Sequence, residues 1–120
     1  MDGRRILVVE DEYVVAEELR RLLEDAGATV VGPAPRVAAA LRLVADASSL
    51  DAAILDVNIA GQEVFPVADT LVERGIAFVF ITGFDRSVIP RRFADAIVLQ
   101  KPVELATVKA AVGRLLGGSP

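Results

Sequence analysis

One feature constrains this chain more than any other: five short, nearly continuous apolar runs, each followed by a segment of helical period. The runs occupy residues 6–9, 29–31, 52–55, 78–81 and 96–99, and several are rich in valine and isoleucine. A strand covered on both faces has no polar side, so it reads as an unbroken apolar run rather than as an alternation. Between the runs, Val15, Leu19, Leu22 and Ala26 are spaced four, three and four apart, and Gly27 then supplies a stop. Val37, Leu41 and Val44 mark a second stripe; Val64, Ala68 and Leu71 a third, ended by Gly75; Leu105, Val108, Val112 and Leu115 the last. These spacings put apolar side chains on one face of a 3.6-residue helix.

The segment after the fourth run is different. Residues 85–93 have little periodicity, and Pro90 must sit in the first turn of any helix there or break it. A short or mobile helix is expected. Gly117-Gly118-Ser119-Pro120 reads as a frayed end or the start of a linker. Strands alternating with helices imply a parallel sheet with right-handed crossovers and helices on both faces. At 120 residues the expectation is one domain spanning 1–120, an α/β three-layer sandwich of flavodoxin-like (βα)5 type with strand order 2-1-3-4-5. Such sheets bind ligands outside the carboxyl ends of strands one and three.

Composition narrows the chemistry. There is no cysteine and no histidine, so thiol nucleophiles, disulfides and zinc sites built on those residues are excluded. Carboxylates, hydroxyls and lysine must carry any reaction. The net charge is −4 and the arginines are scattered, with no basic stripe and interleaved aromatics, which disfavours nucleic acid as a partner. The first apolar run is too short for a signal peptide or for the roughly 20 residues of a membrane span, so a cytoplasmic protein with no membrane partner is expected.

The strand ends are where polar residues collect. Run one leads into Glu10-Asp11-Glu12, run three into Asp56, run four into Thr82 and run five into Lys101-Pro102. Glu10, Asp11 and Asp56 would converge. Like charges about 4 Å apart repel by roughly 1–4 kcal/mol per pair between bulk water and a typical protein-surface dielectric. Such a cluster persists when a carboxyl protonates or a cation binds. Oxygen-only ligands with room for water favour Mg²⁺. Taken alone, the acidic run reads equally well as a solvated turn in which Asp11 or Glu12 suits the start of helix one. Thr82 alone says little. Lys101 stands out because the chain has 11 arginines and two lysines, although a lysine in a loop also serves simply as a snorkelling surface group.

Taken together and in this order, Glu10-Asp11, Asp56, Thr82 and Lys101-Pro102 resemble the residues of a bacterial two-component response-regulator receiver domain, across nearly the whole chain. The resemblance implies that Asp56 is the phosphoacceptor. It implies that Asp11 and Asp56 ligate Mg²⁺, with the backbone carbonyl of Asn58, and that Glu10 holds the ion through water. Thr82 then matches the hydroxyl that turns inward to a phosphoryl oxygen, and Lys101 the cation that pairs with the acceptor, next to a cis peptide bond to Pro102. The phosphoryl group would come from a sensor histidine kinase or a histidine phosphotransfer protein, and a downstream protein partner would read the result. A domain of this kind promotes only its own aspartyl phosphorylation and dephosphorylation and is a switch rather than an enzyme. Dimerisation stays open.

The chain also departs from that pattern. Glu10 stands where aspartate is commoner, the loop Asn58-Ile59-Ala60-Gly61 lacks the usual Met-Pro, and Val98 replaces the switching aromatic. An aromatic appears instead as Phe84, in Phe80-Ile81-Thr82-Gly83-Phe84, which resembles a subgroup of mostly single-domain α-proteobacterial receivers with a Phe-Ala-Thr-Gly-Tyr-like motif. Phe84 joins Thr82 as a candidate switch residue. Other readings fit less well. A flavin or nucleotide site needs backbone N–H groups after strand one, where Glu10-Asp11-Glu12 would repel phosphate. An aspartyl-phosphate phosphatase wants a second acid at Asn58. A degenerate receiver that only docks partners has no reason to keep all the acceptor-site residues.

Overall fold

The computed structural model describes residues 1–117, so the expectation of a frayed end or linker at Gly117–Pro120 lies, but for Gly117, outside the described residues. Five parallel strands, β1 (Arg5–Val9), β2 (Thr29–Ala34), β3 (Ala52–Asp56), β4 (Ala77–Thr82) and β5 (Ile97–Gln100), form one sheet in the order β2-β1-β3-β4-β5. This is the 2-1-3-4-5 order expected from the sequence. Four helices flank it: α1 (Tyr13–Asp25), α2 (Val37–Asp46), α3 (Phe65–Glu73) and α4 (Leu105–Leu115). A two-residue hairpin, Asn58–Ile59 against Gln62–Glu63, stands between β3 and α3.

Alternation along each strand divides the core into two layers. Ile6, Val8, Ile54, Val79 and Ile81 face α1 and α4, where they meet Leu19, Leu23, Val108 and Val112. Leu7, Val9, Leu55, Phe78 and Phe80 face the opposite way, towards Ala40 and Val44 of α2 and Ala68 and Leu71 of α3. Every residue of β3 is buried, which is why its sequence reads as a continuous run. The helical stripes are rotated slightly from their sequence reading. α1 buries Ala16, Leu19 and Leu23, with Val15 and Leu22 at its margin, and Ala26 is already the C-cap. In α2, Ala40 rather than Leu41 lies deepest; small residues let the helix approach the sheet.

Strand β2 runs three residues further than expected, through a cis Gly32–Pro33 bond to Ala34. It tolerates proline because it is an edge strand. Gly32 has φ 98°, and a Cβ there would lie 2.9 Å from the Val8 carbonyl oxygen, so no other residue fits without movement.

The weak fourth helix is replaced by two 3₁₀ turns, Arg86–Val88 and Arg91–Phe93, separated by Pro90. Proline forces Ile89 into extended backbone (ψ 126°), and the first turn stops there. The second turn is held by Phe93, which packs with ring centroids 5.4 Å from Phe80 and 5.9 Å from both Phe65 and Phe78. Arg92 lies over the Phe93 ring and hydrogen-bonds Asp69 of α3 with two nitrogens. That ion pair is exposed and contributes little; the buried ring is the anchor. Phe93→Ala is expected to cost about 3 kcal/mol in urea unfolding, at the low end for a buried Phe truncation because the segment lies at the sheet margin. A loss below about 1 kcal/mol would show that the ring does not hold the segment.

Candidate functional site

Strand register assembles the site. Val9 pairs with Leu55, Asp56 with Ile81 and Thr82 with Gln100. One step further along each strand, Glu10 comes beside Asp56, Thr82 lies diagonal to Asp56, and Lys101 lies beyond Gln100. Four strand ends thus deliver their polar residues to one rim. Each of these side chains follows an apolar run, so each sits at the depth where the sheet ends.

Glu10, Asp11 and Asp56 each offer a carboxylate oxygen, and these atoms lie within 4.8 Å of one another. Glu10 is 2 % exposed and Asp56 6 %, while Asp11 is partly open to solvent. Burial, and then the charge of Asp56, push the Glu10 carboxyl up to about 7, against the pull of the Glu12 N–H and of Lys101. Three crowded carboxylates thus shed charge by holding a proton near neutral pH, and a cation would relieve the same repulsion. The donors are all oxygen, and Asp11 opens to solvent, so the set fits a hard divalent ion that keeps several waters. The helix-start reading holds for Glu12 in position only. Glu12 is the N-cap of α1 but makes no side-chain cap hydrogen bond, and Asp11 Oδ2 accepts from Ala60 N–H at 2.9 Å instead.

Lys101 Nζ donates to Asp56 Oδ2 at 2.8 Å and lies 4.0 Å from Glu10 Oε1. With its side chain 31 % exposed, it reaches inward rather than snorkelling to the surface. Partial burial works to lower the Lys101 pKa. The hydrogen bond to Asp56, its charge and those of Glu10 and Glu12 outweigh that and hold the ammonium above the ordinary lysine range. The Lys101–Pro102 bond is cis. The other Asp56 oxygen, Oδ1, accepts from Asn58 N–H at 3.2 Å. The side-chain oxygen of Asn58 accepts from Gly61 N–H at 3.1 Å.

Thr82 is 1 % exposed. Its hydroxyl oxygen accepts from Phe84 N–H at 3.0 Å, and its carbonyl from Lys101 N–H at 2.7 Å. Phe84 itself is 62 % exposed, and Val98 packs against the aromatic layer. The structure therefore brings Glu10, Asp11, Asp56 and Lys101 together, sets Thr82 at the adjoining strand end, and leaves the Phe84 ring in solvent. Sequence reading missed the Ala60 N–H on Asp11, because a backbone donor leaves no mark in the side-chain pattern. It also missed the bond from Phe84 N–H to the Thr82 hydroxyl.

A family model described as a response regulator receiver domain matches residues 6–113. Among solved structures, the chain is 44 % identical to SdrG from Sphingomonas melonis Fr1, over 95 % of this chain and 97 % of that one, with a TM-score of 0.80. It is 45 % identical to the BeF3-activated conformation of SdrG from Pseudomonas melonis Fr1, over 97 % and 99 %, with a TM-score of 0.76. It is also 27 % identical over 114 residues to the phyllosphere-induced regulator PhyR of Methylorubrum extorquens, covering 92 % of this chain. The chain spans 43 % of that protein's length. No helix among the described residues is long and apolar enough to cross a membrane.

Proposed function

The chain belongs to the response regulator receiver domain family, and on that premise we propose that it is a phosphoacceptor switch of a two-component or phosphorelay pathway, phosphorylated on Asp56 in the cytoplasm. The observation that carries this reading is the Lys101 ammonium 2.8 Å from a buried Asp56 carboxylate, with Glu10 and Asp11 beside it. A structural ion pair needs one acid; two more beside it repel unless one keeps a proton or a cation joins them. Mg²⁺ suits these oxygens, held by Asp11, Asp56 and the Asn58 carbonyl, with Glu10 acting through water. When bound, it supplies positive charge against the phosphoryl oxygens.

The residues do the rest. An Asp56 carboxylate oxygen attacks phosphorus as the bond to the donor breaks: the P–N bond of a partner's phosphohistidine, or the P–O bond of acetyl phosphate. Catalysis of this transfer is positioning and charge neutralisation. The Asn58 N–H and Lys101 fix the orientation of the Asp56 carboxylate. Lys101 then faces a phosphoryl group carrying about −1.5 to −2 charge in place of the single charge of the carboxylate. The protein modifies itself once per cycle and turns over no separate substrate. A sensor histidine kinase or histidine phosphotransfer protein would supply the phosphoryl group. A largely apolar groove of about 440 Å³ between α1 and α4, with Val15, Leu19, Pro102 and Val103 in its lining and Lys101 at its edge, suits such a partner. Incubation with Mg²⁺ and acetyl phosphate, followed by intact mass measurement, tests the reading: a gain of one phosphoryl group is expected. No gain would overturn it.

The signal would leave through Thr82. Turning inward to a phosphoryl oxygen takes the hydroxyl away from Phe84 N–H, which then loses its partner. The residues that follow, 83–88, are exposed and carry only one 3₁₀ turn, so they can reorganise at little cost. Beryllofluoride with Mg²⁺ should therefore move backbone resonances from Thr82 to about Asp95 more than those of Val98. Phe84→Ala should weaken partner binding by the active form more than it weakens phosphorylation. Largest shifts in β5 and α4, with Phe84 still, would sink this route.

A further inference from the structure

The hairpin between β3 and α3 holds one of the ligands supplied by a different loop. Ala60 sits at its tip with φ 50°, the one positive-φ residue other than glycine among those described. Its N–H donates to Asp11 Oδ2 at 2.9 Å, across 49 residues of sequence. The other Asp11 oxygen has no hydrogen-bond partner among the described residues. The hairpin is exposed at its tip but anchored at its base. Ile59 and Val64 are fully buried at its base, Val64 N–H reaches the Val57 carbonyl at 2.8 Å, and the Asn58 side chain closes the turn on Gly61 N–H.

We propose that the backbone N–H of Ala60 is a positioning group for the cation site, fixing Asp11 so that its free oxygen and the Asn58 carbonyl are presented to the ion as one unit. This rests on the receiver reading of the site and deepens it. Asp11 is partly solvent-exposed and lies on the loop after β1, and Asn58 lies on the loop after β3; this bond ties the two loops together. Ordering a carboxylate before the ion arrives removes a cost of binding, and hydrogen bonds to ligating carboxylates carry a large part of metal affinity. The departure of this loop from its family gains a physical meaning here. A proline at position 60 would have no N–H to give and could not adopt φ 50°. Alanine can do both.

The test replaces the Ile59–Ala60 amide by an ester, with lactic acid at position 60, so that an oxygen takes the place of the N–H and little else changes. Mg²⁺ affinity is read from the Gly61 amide resonance. The ester protein should bind Mg²⁺ about tenfold more weakly, the low end expected for a carboxylate's supporting hydrogen bond because Asp11 is partly exposed. Ala60→Gly, which keeps the N–H and suits the positive φ, should bind within about twofold of the wild type. A readout without metal is the Ala60 amide itself: Asp11→Ala should speed its hydrogen exchange about tenfold, as loss of one charge-assisted bond predicts. Equal Mg²⁺ affinity in the ester and wild-type proteins, or an unchanged Ala60 exchange rate, overturns the role of Ala60 alone. Wild-type protein that takes up no Mg²⁺ overturns the receiver reading beneath it.

Discussion

Asp56→Asn protein, incubated with Mg²⁺ and acetyl phosphate, should gain no mass, while the wild type gains one phosphoryl group. The substitution is nearly isosteric and removes only the charge. An amide is a poor nucleophile and cannot form the acyl phosphate, so the loss is complete rather than graded. The fold should survive. Asp56 lies at the last position of β3, and its side-chain contacts are polar ones with Lys101 and the Asn58 N–H. Asn can still accept from Asn58 through its amide oxygen, and Lys101 already stands 4.0 Å from Glu10, a second acid with which to pair. Losing a partner usually strands a buried charge at a cost of about 3–5 kcal/mol. Here the lysine is partly solvated and has that second acid, so the cost should be well below that figure. Full labelling of the Asp56→Asn protein at another position would overturn the assignment of the acceptor.

The second large effect concerns the cation. Asp11→Ala should abolish measurable Mg²⁺ binding while the protein stays folded. Mg²⁺ gives up its water reluctantly and needs anionic oxygens to do so. Without Asp11 two carboxylates remain, and Lys101 already pairs with one of them. In the metal-free protein the substitution removes one member of a repelling cluster and one hydrogen bond to Ala60, opposing effects each worth about 1.4 kcal/mol at a partly exposed position, so stability should change little. The contrast appears when Mg²⁺ is added. At about 100 times its dissociation constant, a ligand that binds only the folded form stabilises it by about 2.7 kcal/mol, enough to raise the melting temperature of the wild type by several degrees. The Asp11→Ala protein should show no such rise. Unchanged Mg²⁺ affinity in the variant would move the site elsewhere.

Much of this was legible before any coordinates. The strand order followed from five apolar runs and the length of the chain, because parallel strands buried on both faces leave an unmistakable hydrophobic signature and few topologies accommodate them. The rim residues were legible because each lies within two residues of the end of such a run. A residue at that position must stand at the edge of the sheet, whatever the loops do. Failure of the fourth helix was legible in Pro90 and the lack of period, although the two 3₁₀ turns that replace it were not.

What sequence could not decide has a common cause: it depends on backbone atoms and on which neighbour arrives first. In α1 Leu23 rather than Leu22, and in α2 Ala40 rather than Leu41, is the fully buried residue, because helix rotation is set by packing with the strands and not by local periodicity alone. The acidic run read equally as a helix start or as a cation site. Only the fold showed that Glu12 takes the N-cap of α1 without a side-chain hydrogen bond while Asp11 accepts from Ala60 N–H and lies in a cluster with Glu10 and Asp56. Thr82 gave no sign that its hydroxyl is tied to the amide of Phe84, two residues away. Side-chain chemistry and strand ends are written in the order of the residues. The peptide groups that orient those side chains are identical at nearly every position, so they acquire individual roles only once the chain has folded.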